Sequence, residues 1–274
     1  MGKDIAHGRL LDASQQDNYR VAPMLVAQIA AWGDRHGIAP AQMRILDWGC
    51  GRGRTMFWLR DRGYQAYGAD IDPTPIENGR PLARTRGLDA DQVLTVIGPE
   101  GRTVYPDDFF DLTTSFQVFE HVQDVDLVAR ELARITRPGG GGIHVFPPAL
   151  YPYEGHLGMP IVHWLPRGRA RDALIRGWVA LGVELKPPDY EGLDARTRAA
   201  RYSRFLSERT RYWTAGRFRK AFEAAGLSVD FVSVESPNVA RRSGALLKVP
   251  GSRPVMNWLL SRLVSTHALY RKPT

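Results

Sequence analysis

The stretch that decides the fold is Arg44 to Thr55, RILDWGCGRGRT. A short apolar run at its start is followed by an acid, Asp47, and then by glycines at positions 49, 51 and 53. This order predicts a buried strand, a tight turn and the N-terminus of a helix. Glycines suit such a turn because a Cβ atom would block positive φ angles and hold a ligand away from the backbone. Since a helix N-terminus presents free N–H groups, we expect a small polar ligand carrying a carboxylate or a phosphate.

The spacing of the glycines narrows the choice of ligand. A dinucleotide-binding turn, G-x-G-x-x-G, needs glycine at position 54, where this chain has Arg54. The pattern is instead G-x-G-x-G, and ILDWGCGRG resembles the first motif of class I S-adenosylmethionine (SAM)-dependent methyltransferases. The resemblance implies SAM as the cofactor and an α/β, Rossmann-like sheet of seven mostly parallel strands with helices on both faces. The alternative is a glycine-rich turn that binds no ligand.

A second acid supports the resemblance. Asp70 follows the strand-like run YQAYGA and lies 17 residues after Gly53. In a βαβ unit, an acid about 20 residues beyond the glycine turn reaches ribose hydroxyls. Asp72 precedes a proline and is expected to cap a helix or start a turn. The cofactor-binding residues that the resemblance implies are Asp47, Gly49, Gly51, Gly53, Asp70, Ile71 and Gln117.

The segment from Tyr105 to Val122, YPDDFFDLTTSFQVFEHV, predicts a fourth strand and the loop after it. It resembles the FD(x)n-EH region of small-molecule methyltransferases, and ligands lie beyond the carboxyl ends of strands in such sheets. The resemblance implies that Gln117 contacts the methionine part of SAM and that His121 faces the acceptor. His121 and His156 are the two predicted catalytic residues, as bases for a hydroxyl acceptor; a surface loop histidine is the alternative for His121.

An acid against the adenine amino group is a further feature of the family. The residue in the corresponding place is Glu100, within Gly98-Pro99-Glu100-Gly101, where the family has an aspartate after a glycine. This departure leaves an exposed turn glutamate as an equal alternative.

The remaining segments complete an α/β order. A helix over 18–36 is expected to pack on the sheet or, as in the resembled family, to cover the cofactor, which implies contacts from Tyr19 and Arg20. Further strands are expected at 92–97, 110–116, 143–146, 227–235 and an antiparallel one at 266–271; further helices at 74–88, 127–136, 213–225 and 255–264. Gly79 and Pro81 are expected to interrupt the helix over 74–88, and the glycines at 139–142 to form a strong break. The apolar helix over 255–264 is expected in the core, with a dimer contact or an interfacial membrane helix as alternatives.

Three parts are expected along the chain. Residues 1–146 form the SAM-binding core with its N-terminal helix, residues 147–212 an inserted helical and aromatic substrate cap, and residues 213–274 the completion of the core sheet. Insertions beyond strand ends often close active sites. Tyr153, His156 and Trp164 are expected to line the substrate-facing rim.

No metal site is expected. His144, Glu154, His156 and His163 are all metal-ligating types, but their arrangement has no tight ligand spacing such as H-E-x-x-H.

Composition limits the class of protein. A chain of 274 residues with 43% hydrophobic side chains can bury one large core with an insertion. Its single cysteine, Cys50, excludes an internal disulfide and favours an intracellular, cytoplasmic setting. Neither a signal peptide nor a transmembrane segment is expected, because the apolar runs are too short. Peripheral membrane contact and the oligomeric state stay open.

Positive charge is concentrated in one segment. The formal net charge is +8, and residues 166–220 hold 14 basic and six acidic residues, which accounts for the whole excess. Such a patch can attract an anionic substrate, although a solvated face is the simpler interpretation. A small molecule is the favoured partner, and nucleic acid is disfavoured but stays open.

The predicted function is methyl transfer from SAM to a small-molecule acceptor, lipid-like or anionic, at oxygen. Because the methyl group of SAM is already activated by its sulfonium, catalysis rests on alignment of nucleophile, methyl and sulfur. A pyrimidine C5 methyltransferase would need a nucleophilic cysteine, and Cys50 lies in the glycine turn. The alternatives are an RNA-binding or RNA-modifying methyltransferase-like protein that uses the arginine-rich segment, and a SAM-binding partner protein without activity.

Overall fold

The computed structural model describes residue 16, residues 19–235 and residues 249–274. Asn18, the first residue of the helix expected over 18–36, lies outside the described residues.

A seven-stranded sheet forms the centre of the described chain, beside a two-stranded hairpin. In chain order the strands are β1 (Arg44–Trp48), β2 (Gln65–Asp70), β3 (Leu94–Val96), β4 (Phe110–Phe116), β5 (Thr136–Phe146), the hairpin strands β6 (Tyr153–Glu154) and β7 (Met159–Pro160), β8 (Ser228–Phe231) and β9 (Thr266–Arg271). The large sheet has the order β3-β2-β1-β4-β5-β9-β8. Its first five strands are parallel to their neighbours, and β9 is antiparallel to both β5 and β8. The predicted fold class and the antiparallel last strand are confirmed.

Helices cover both faces of this sheet. They are α1 (Pro23–His36), α2 (Arg54–Arg60), α3 (Pro73–Thr85), α4 (Ala90–Val93), α5 (Val125–Ile135), α6 (Arg169–Ala180), α7 (Ala195–Glu208), α8 (Ala215–Ala224) and α9 (Ser252–Leu263). Neighbouring residues of a strand point to opposite faces, so Ile45 packs with α1, α2 and α3 while Leu46 packs with α5 and α8. Apolar side chains of α5 recur at helical spacing, at Val125, Val128, Ala129 and Leu132, and bury one face of that helix.

The glycines at 139–142 were expected to end the helix over 127–136 and to separate it from a strand over 143–146. The helix ends at Ile135, in agreement with the prediction, but the expected start of the strand is wrong, because β5 begins at Thr136 and includes the glycines. Gly141 pairs with Arg271, and Gly142 pairs with Tyr270. A Cβ atom on Gly141 would lie 2.5 Å from the Trp32 ring, and one on Gly142 would lie 2.2 Å from the Tyr270 ring. These glycines therefore admit large aromatic side chains close to the strand.

The interruption expected at Gly79 and Pro81 is also wrong, because α3 runs through both residues. A Cβ atom on Gly79 would lie 2.3 Å from the carbonyl oxygen of Arg52, in the glycine turn. The helix thus needs a glycine at this position to pack against that turn.

The inserted segment has an apolar cluster separate from the two clusters beside the sheet. Leu157 and Val162 from the region of the hairpin pack there with side chains from α6 and α7. The cluster is completed by Met159, Ile175, Val179, Ala199, Tyr202 and Leu206.

The C-terminal helix α9 was expected in the core, and this prediction is wrong. Val255 and Trp258 are 59% and 55% exposed, and Ser261 is the residue of α9 that is buried. The contacts of α9 are mainly with β9 and with residues 233–235 after β8. Among the described residues, no helix is both long and apolar enough to cross a membrane.

Candidate active site

The glycine turn connects β1 to α2 at the carboxyl edge of the sheet. Gly49, Gly51 and Gly53 have φ angles of 72°, 54° and 81°, which favour glycine. The N–H groups of Gly49 and Cys50 both donate to the Ala69 carbonyl, at 2.7 and 3.1 Å, which fixes the turn to the end of β2. A Cβ atom on Gly53 would lie 2.7 Å from Leu94, whereas one on Gly51 would meet no described atom within 4 Å. The turn is therefore packed at Gly53 and open for a ligand at Gly51.

Asp70, the last residue of β2, lies beside this turn. Its carboxylate accepts from the N–H of Gly51 at 2.7 Å and from the N–H of Asp72 at 2.9 Å. Asp72 accepts from the N–H of Thr74 at 2.9 Å and caps α3, so its predicted capping role is confirmed. The fold thus brings Asp70 into contact with Gly51 of the glycine turn, although the two residues are 19 positions apart in the sequence.

Charge at this end of the site favours a cation. Burial, with the nearby Asp70 carboxylate, raises the pKa of Asp47 to about 8. Burial also raises the pKa of Asp70, against the effect of its two N–H donors. Because the Asp70 carboxylate opposes ionisation of Asp47, a positively charged ligand group would stabilise the ionised form of both acids.

A cavity of about 410 Å³ extends from these residues along the edge of the sheet. Its wall includes five of the predicted site residues: Gly49, Asp70, Ile71, Gln117 and His121. Gln117 has a φ of 59°, and its N–H donates to the Val145 carbonyl at 2.8 Å, so the loop after β4 is tied to β5. Four of the seven predicted cofactor residues and one predicted catalytic histidine thus share one cavity, whereas Asp47, Gly51 and Gly53 are not among the residues that line it.

Several residues of this wall were missed from the sequence. The missed set is mainly apolar and comprises Ile97, Pro99, Val118, Val122, Leu127 and Val128. Pro99 and Gly101 line the cavity, but Glu100 between them does not and is exposed. Ile97 directly follows β3, and Leu127 and Val128 lie at the start of α5. The predicted ends of this strand and this helix could therefore have indicated these residues from the sequence.

Tyr19 lies against the start of α2. Its hydroxyl is 3.0 Å from Thr55 Oγ1, and the Arg54 guanidinium lies 4.4 Å from the centre of its ring. Burial raises the pKa of this phenol. The side chain of Arg20 donates to the Tyr19 carbonyl. Through Tyr19, the segment before α1 contacts the start of the helix that follows the glycine turn.

At the other end of the site, two histidines lie close together. The ring centres of His121 and His156 are 4.9 Å apart. Nδ1 of His121 is 2.8 Å from the Arg209 carbonyl, and Nδ1 of His156 is 2.8 Å from Glu154 Oε1. Each Nδ1 faces an acceptor, so each ring is held with Nε2 free to face a ligand.

The environments of the two rings shift their pKa values in opposite directions. His121 has an exposed edge, yet the protein packed around it lowers the pKa of its imidazole by desolvation. Burial opposes protonation of His156 too, but the Glu154 carboxylate raises its pKa overall. Because the two pKa values are shifted apart, His121 and His156 favour different protonation states near neutral pH.

Glu154 organises the second histidine. It is fully buried and accepts from the Leu157 N–H at 2.6 Å and from the Tyr212 hydroxyl. Burial disfavours its charge, but the bonds to His156, Tyr212 and Leu157 lower its pKa overall. The sequence prediction treated Glu154 only as a metal ligand type and did not single out Tyr212.

Glu120 precedes His121 and was also missed. It is 1% exposed, and neither of its carboxylate oxygens has a hydrogen-bond partner among the described residues. Burial raises its pKa to about 7. Its main-chain carbonyl accepts from the Arg211 N–H at 2.7 Å, so the chain after α7 is fixed to this loop.

A second cavity, of about 500 Å³, lies between this loop and the inserted segment. Gln123 lines both cavities. The basic members of the second wall are Arg167, Arg171 and Arg211, beside His163 and Tyr212. Arg171 is 6% exposed, and its Nε is buried without a hydrogen-bond partner among the described residues.

The remaining members of the histidine-rich stretch do not converge on one point. His144 is fully buried in the core, where Nδ1 lies 2.8 Å from Ser115 Oγ and burial lowers its pKa to about 3. His163 packs against Tyr212, with ring centres 4.5 Å apart. Tyr153 and Trp164 are 42% and 48% exposed. A metal site built on His144 is therefore excluded by its position.

Comparison with known proteins identifies a methyltransferase domain within the chain. A family model described as a methyltransferase domain matches residues 46–143. Methyltransferase GfsG of Streptomyces halstedii is 37% identical over 98 residues, which cover 35% of this chain and 35% of that protein. A ubiquinone biosynthesis O-methyltransferase of Chelativorans sp. (strain BNC1) is 31% identical over 135 residues, or 46% of this chain and 50% of that protein.

Solved structures agree on the fold. A crystal structure of an S-adenosylmethionine-dependent methyltransferase from Mesorhizobium loti matches with a TM-score of 0.50 and 18% identity, covering 94% of this chain and 100% of that one. At this identity the match shows the fold alone. The chain spans between a third and a half of the length of the two sequence relatives above. Residues 46–143 thus match a methyltransferase domain, and the fold is the one seen in a SAM-dependent methyltransferase.

Proposed function

We propose that the protein transfers the methyl group of SAM to an oxygen atom of a small-molecule acceptor. The observation that carries the proposal is the 410 Å³ cavity, whose wall includes Gly49 and Asp70 at one end and His121 at the other. A cofactor bound by the first pair and an acceptor beside His121 would meet in this one space. The name of the Chelativorans relative, an O-methyltransferase, supports oxygen as the acceptor atom.

The residues of the glycine end fit SAM. When bound, SAM supplies an activated methyl group on a sulfonium. Asp70 would accept from the ribose hydroxyls, and the open backbone at Gly51 would lie against the methionine part, with Gln117 on its other side. The Asp70 carboxylate, and Asp47 in its ionised form, favour the positive charge of the ligand. The work of the protein is then to align the acceptor oxygen with the methyl carbon.

Deprotonation of a hydroxyl acceptor falls to the histidines. His121 is neutral near pH 7 because desolvation lowers its pKa, and its Nδ1–H donates to the Arg209 carbonyl. Its Nε2 therefore carries the lone pair that takes the acceptor proton as the oxygen–methyl bond forms. His156, held by Glu154, lies beside it and would orient the acceptor oxygen.

The second cavity supports an acceptor with an anionic group. Its wall carries Arg167, Arg171 and Arg211, and the buried Nε of Arg171 lacks a partner among the described residues. A carboxylate or phosphate would satisfy this donor through a charge-assisted hydrogen bond. Because Gln123 lines both cavities, one acceptor could place its anion here and its hydroxyl beside His121.

Recognition of RNA receives less support than recognition of a small molecule. Arg198 pairs with Glu184 at 3.0 Å, and Arg217 pairs with Asp126. Such internal pairs reduce the charge that the arginine-rich segment can offer to a phosphate backbone.

The test is turnover of isotopically labelled SAM by the purified protein with a panel of acceptors. The panel pairs phenols and aliphatic alcohols that carry a carboxylate or phosphate with neutral analogues of the same size. We expect methyl ether formation with an anionic hydroxyl compound, little with its neutral analogue, and loss of turnover in His121→Ala with SAM binding retained.

Two results would contradict the proposal. Absence of SAM binding by calorimetry would remove the cofactor assignment, and a product methylated at nitrogen or carbon would remove the assignment to oxygen. Equal turnover of anionic and neutral acceptors would instead refute the role of the arginine-lined cavity. Salt-sensitive RNA binding without small-molecule turnover would favour the RNA alternative.

A further inference from the structure

We propose that Glu120, His121 and His156 bind one divalent transition-metal ion, with zinc as the best match, at the acceptor end of the cavity. The site goes beyond the proposed function, because binding of the ion depends on neither SAM nor the acceptor. It would join residues from two separate segments, the loop after β4 and the loop after β6.

The geometry of the three side chains suits such an ion. One ligand atom from each side chain lies within 4.8 Å of the other two. Ligand atoms on a tetrahedral zinc ion at about 2.1 Å are about 3.4 Å apart, so the groups need to move inward by about 1 Å or slightly more. Rotation about the side-chain bonds of Glu120 can supply much of this movement.

The outer contacts of the histidines are those that a metal site requires. Metal-binding imidazoles usually donate their second N–H to a carboxylate or a main-chain carbonyl, which fixes the tautomer and the ring. Here His156 donates to Glu154 at 2.8 Å and His121 donates to the Arg209 carbonyl at 2.8 Å. Glu154 is itself fixed by Tyr212 and by the Leu157 N–H. Both Nε2 atoms are thus left as the ligand atoms.

Glu120 supplies an independent argument. A buried carboxylate is unfavourable unless it is paired, hydrogen-bonded or coordinated to a metal. Glu120 is 1% exposed, and both of its oxygens lack hydrogen-bond partners among the described residues. One of these oxygens is the atom that lies within 4.8 Å of the histidine ligand atoms. A cation at this point would satisfy the carboxylate that the protein leaves unpaired.

The donor set indicates the class of ion. Two imidazole nitrogens and one carboxylate oxygen, with no thiolate, match catalytic zinc sites and also suit Fe²⁺ or Mn²⁺. Three protein ligands leave at least one open position, and because His121 lines the 410 Å³ cavity, that position lies at the acceptor end. An acceptor hydroxyl at the open position would lose its proton more readily, which would take over the role of the histidine base.

The test is calorimetric titration of the full chain, with any affinity tag removed, after treatment with a chelator and dialysis. The probe is zinc chloride in the absence of SAM and acceptor. We expect one ion per chain, and a loss of about 100-fold in affinity for Glu120→Gln and for His156→Gln. Glu154→Gln should weaken binding by about 10-fold to 100-fold, because it changes the outer contact of His156.

His163→Gln is the matched control, since His163 is a half-buried histidine with buried ring nitrogens that lies outside the cluster. It should bind zinc like the parent chain. Cobalt(II) provides a second readout, because a visible absorption band of a tetrahedral ion should appear with the parent chain and vanish with Glu120→Gln. Circular dichroism of each variant verifies that the fold is retained.

The outcomes separate this inference from the proposed function. Equal zinc affinity in the parent chain, Glu120→Gln and His156→Gln, or no binding in any of them, would overturn the metal site. Methyl transfer at full rate after chelation, without zinc binding, would refute the metal site and leave the proposed function standing. Specific zinc binding without methyl transfer would support the metal site and refute the proposed function.

Discussion

The two ends of the candidate active-site cavity, the glycine end proposed for the cofactor and the histidine end proposed for the acceptor, are built in different ways. The cofactor end takes its polar groups from residues 47–72, across one strand, turn, helix and strand, and its contacts are mostly main-chain hydrogen bonds such as Gly51 N–H to Asp70. The acceptor end joins residues 120–121, 154–156 and 209–212, and its contacts are mostly made by side chains. The first end is local in sequence, and the second depends on the whole fold.

This difference has a functional meaning. A binding turn between a strand and a helix uses main-chain N–H groups, so its geometry depends little on side chains elsewhere in the chain. Side chains supplied by an inserted segment can vary without disturbing the sheet, because loops carry specificity on a rigid scaffold. We therefore expect substitutions at the cofactor end to change SAM affinity and substitutions at the acceptor end to change turnover.

The largest effect should come from Asp70→Asn. The substitution removes the charge that holds the Gly51 and Asp72 N–H groups and would face the ribose, so SAM affinity should fall by about 100-fold, or about 2.7 kcal/mol. Calorimetric titration with SAM measures this change. Asp72→Asn is the matched control, because asparagine also caps helices and its affinity should stay close to that of the parent chain. Unchanged SAM binding in Asp70→Asn would show that the cofactor end does not depend on this acid.

Tyr212→Phe tests the acceptor end. Loss of the hydroxyl removes one donor to Glu154 and loosens the position of His156, so kcat should fall by about 10-fold while SAM affinity is retained. Steady-state kinetics and calorimetry measure the two quantities separately. Tyr202→Phe is the control, since its hydroxyl bonds to the Leu185 carbonyl inside the inserted segment. A matching loss of SAM affinity in Tyr212→Phe would break the division between the two ends.

Asp47 gives the cofactor end a pH dependence. Its pKa in the free protein is raised to about 8, first by burial and then by Asp70, so the proton is held at neutral pH. The ionised form favours the positive charge of SAM, and the dissociation constant should therefore decrease several-fold as pH rises from about 6.5 to about 8.5. Calorimetry across this range tests the prediction. In Asp47→Asn the curve should be flatter, and an equally steep curve would assign the titration to another group.

The cofactor end could be predicted from the sequence because its requirements are local. Positive φ at Gly49, Gly51 and Gly53 and an acid at the end of the next strand leave a readable pattern. The interpretation of glycine as a turn residue failed at Gly141 and Gly142. These glycines are needed for the packing of Trp32 and Tyr270, which are distant in the sequence.

The acceptor end could be predicted only in part. The FEH sequence pointed to His121, but nothing in sequence spacing joins Glu120 to His156 or Glu154 to Tyr212, since these pairs meet only when the inserted segment folds back. Likewise, the apolar composition of α9 predicted burial, but the structure exposes Trp258 and Val255. An apolar composition indicates which residues can be buried. Whether they are buried depends on the neighbouring elements that the fold places against them.

The smallest expected effect concerns stability, and it tests whether the acceptor end holds an unfavourable charge. Glu120 has an ordinary pKa of 4.5, and burial raises it to about 7 in the folded chain. Between these values the unfolded chain releases the proton while the folded chain keeps it, so Glu120 lowers stability as pH rises through this window and does so fully above about pH 7. Glutamine has the same shape without the charge.

The full pKa shift corresponds to about 3 kcal/mol at most. The buried amide of glutamine offsets part of it, so Glu120→Gln should raise the melting temperature of metal-free protein by about 2–4 °C at about pH 8. At about pH 3.5, below both pKa values, the carboxylic acid is neutral in both states, and the difference between variant and parent should disappear. Thermal unfolding followed by circular dichroism at the two pH values measures both. An increase in melting temperature of the same size at both pH values would indicate an effect of packing rather than of charge. Zinc should stabilise the parent chain and not the variant, because only a ligand bound to the folded state raises its stability.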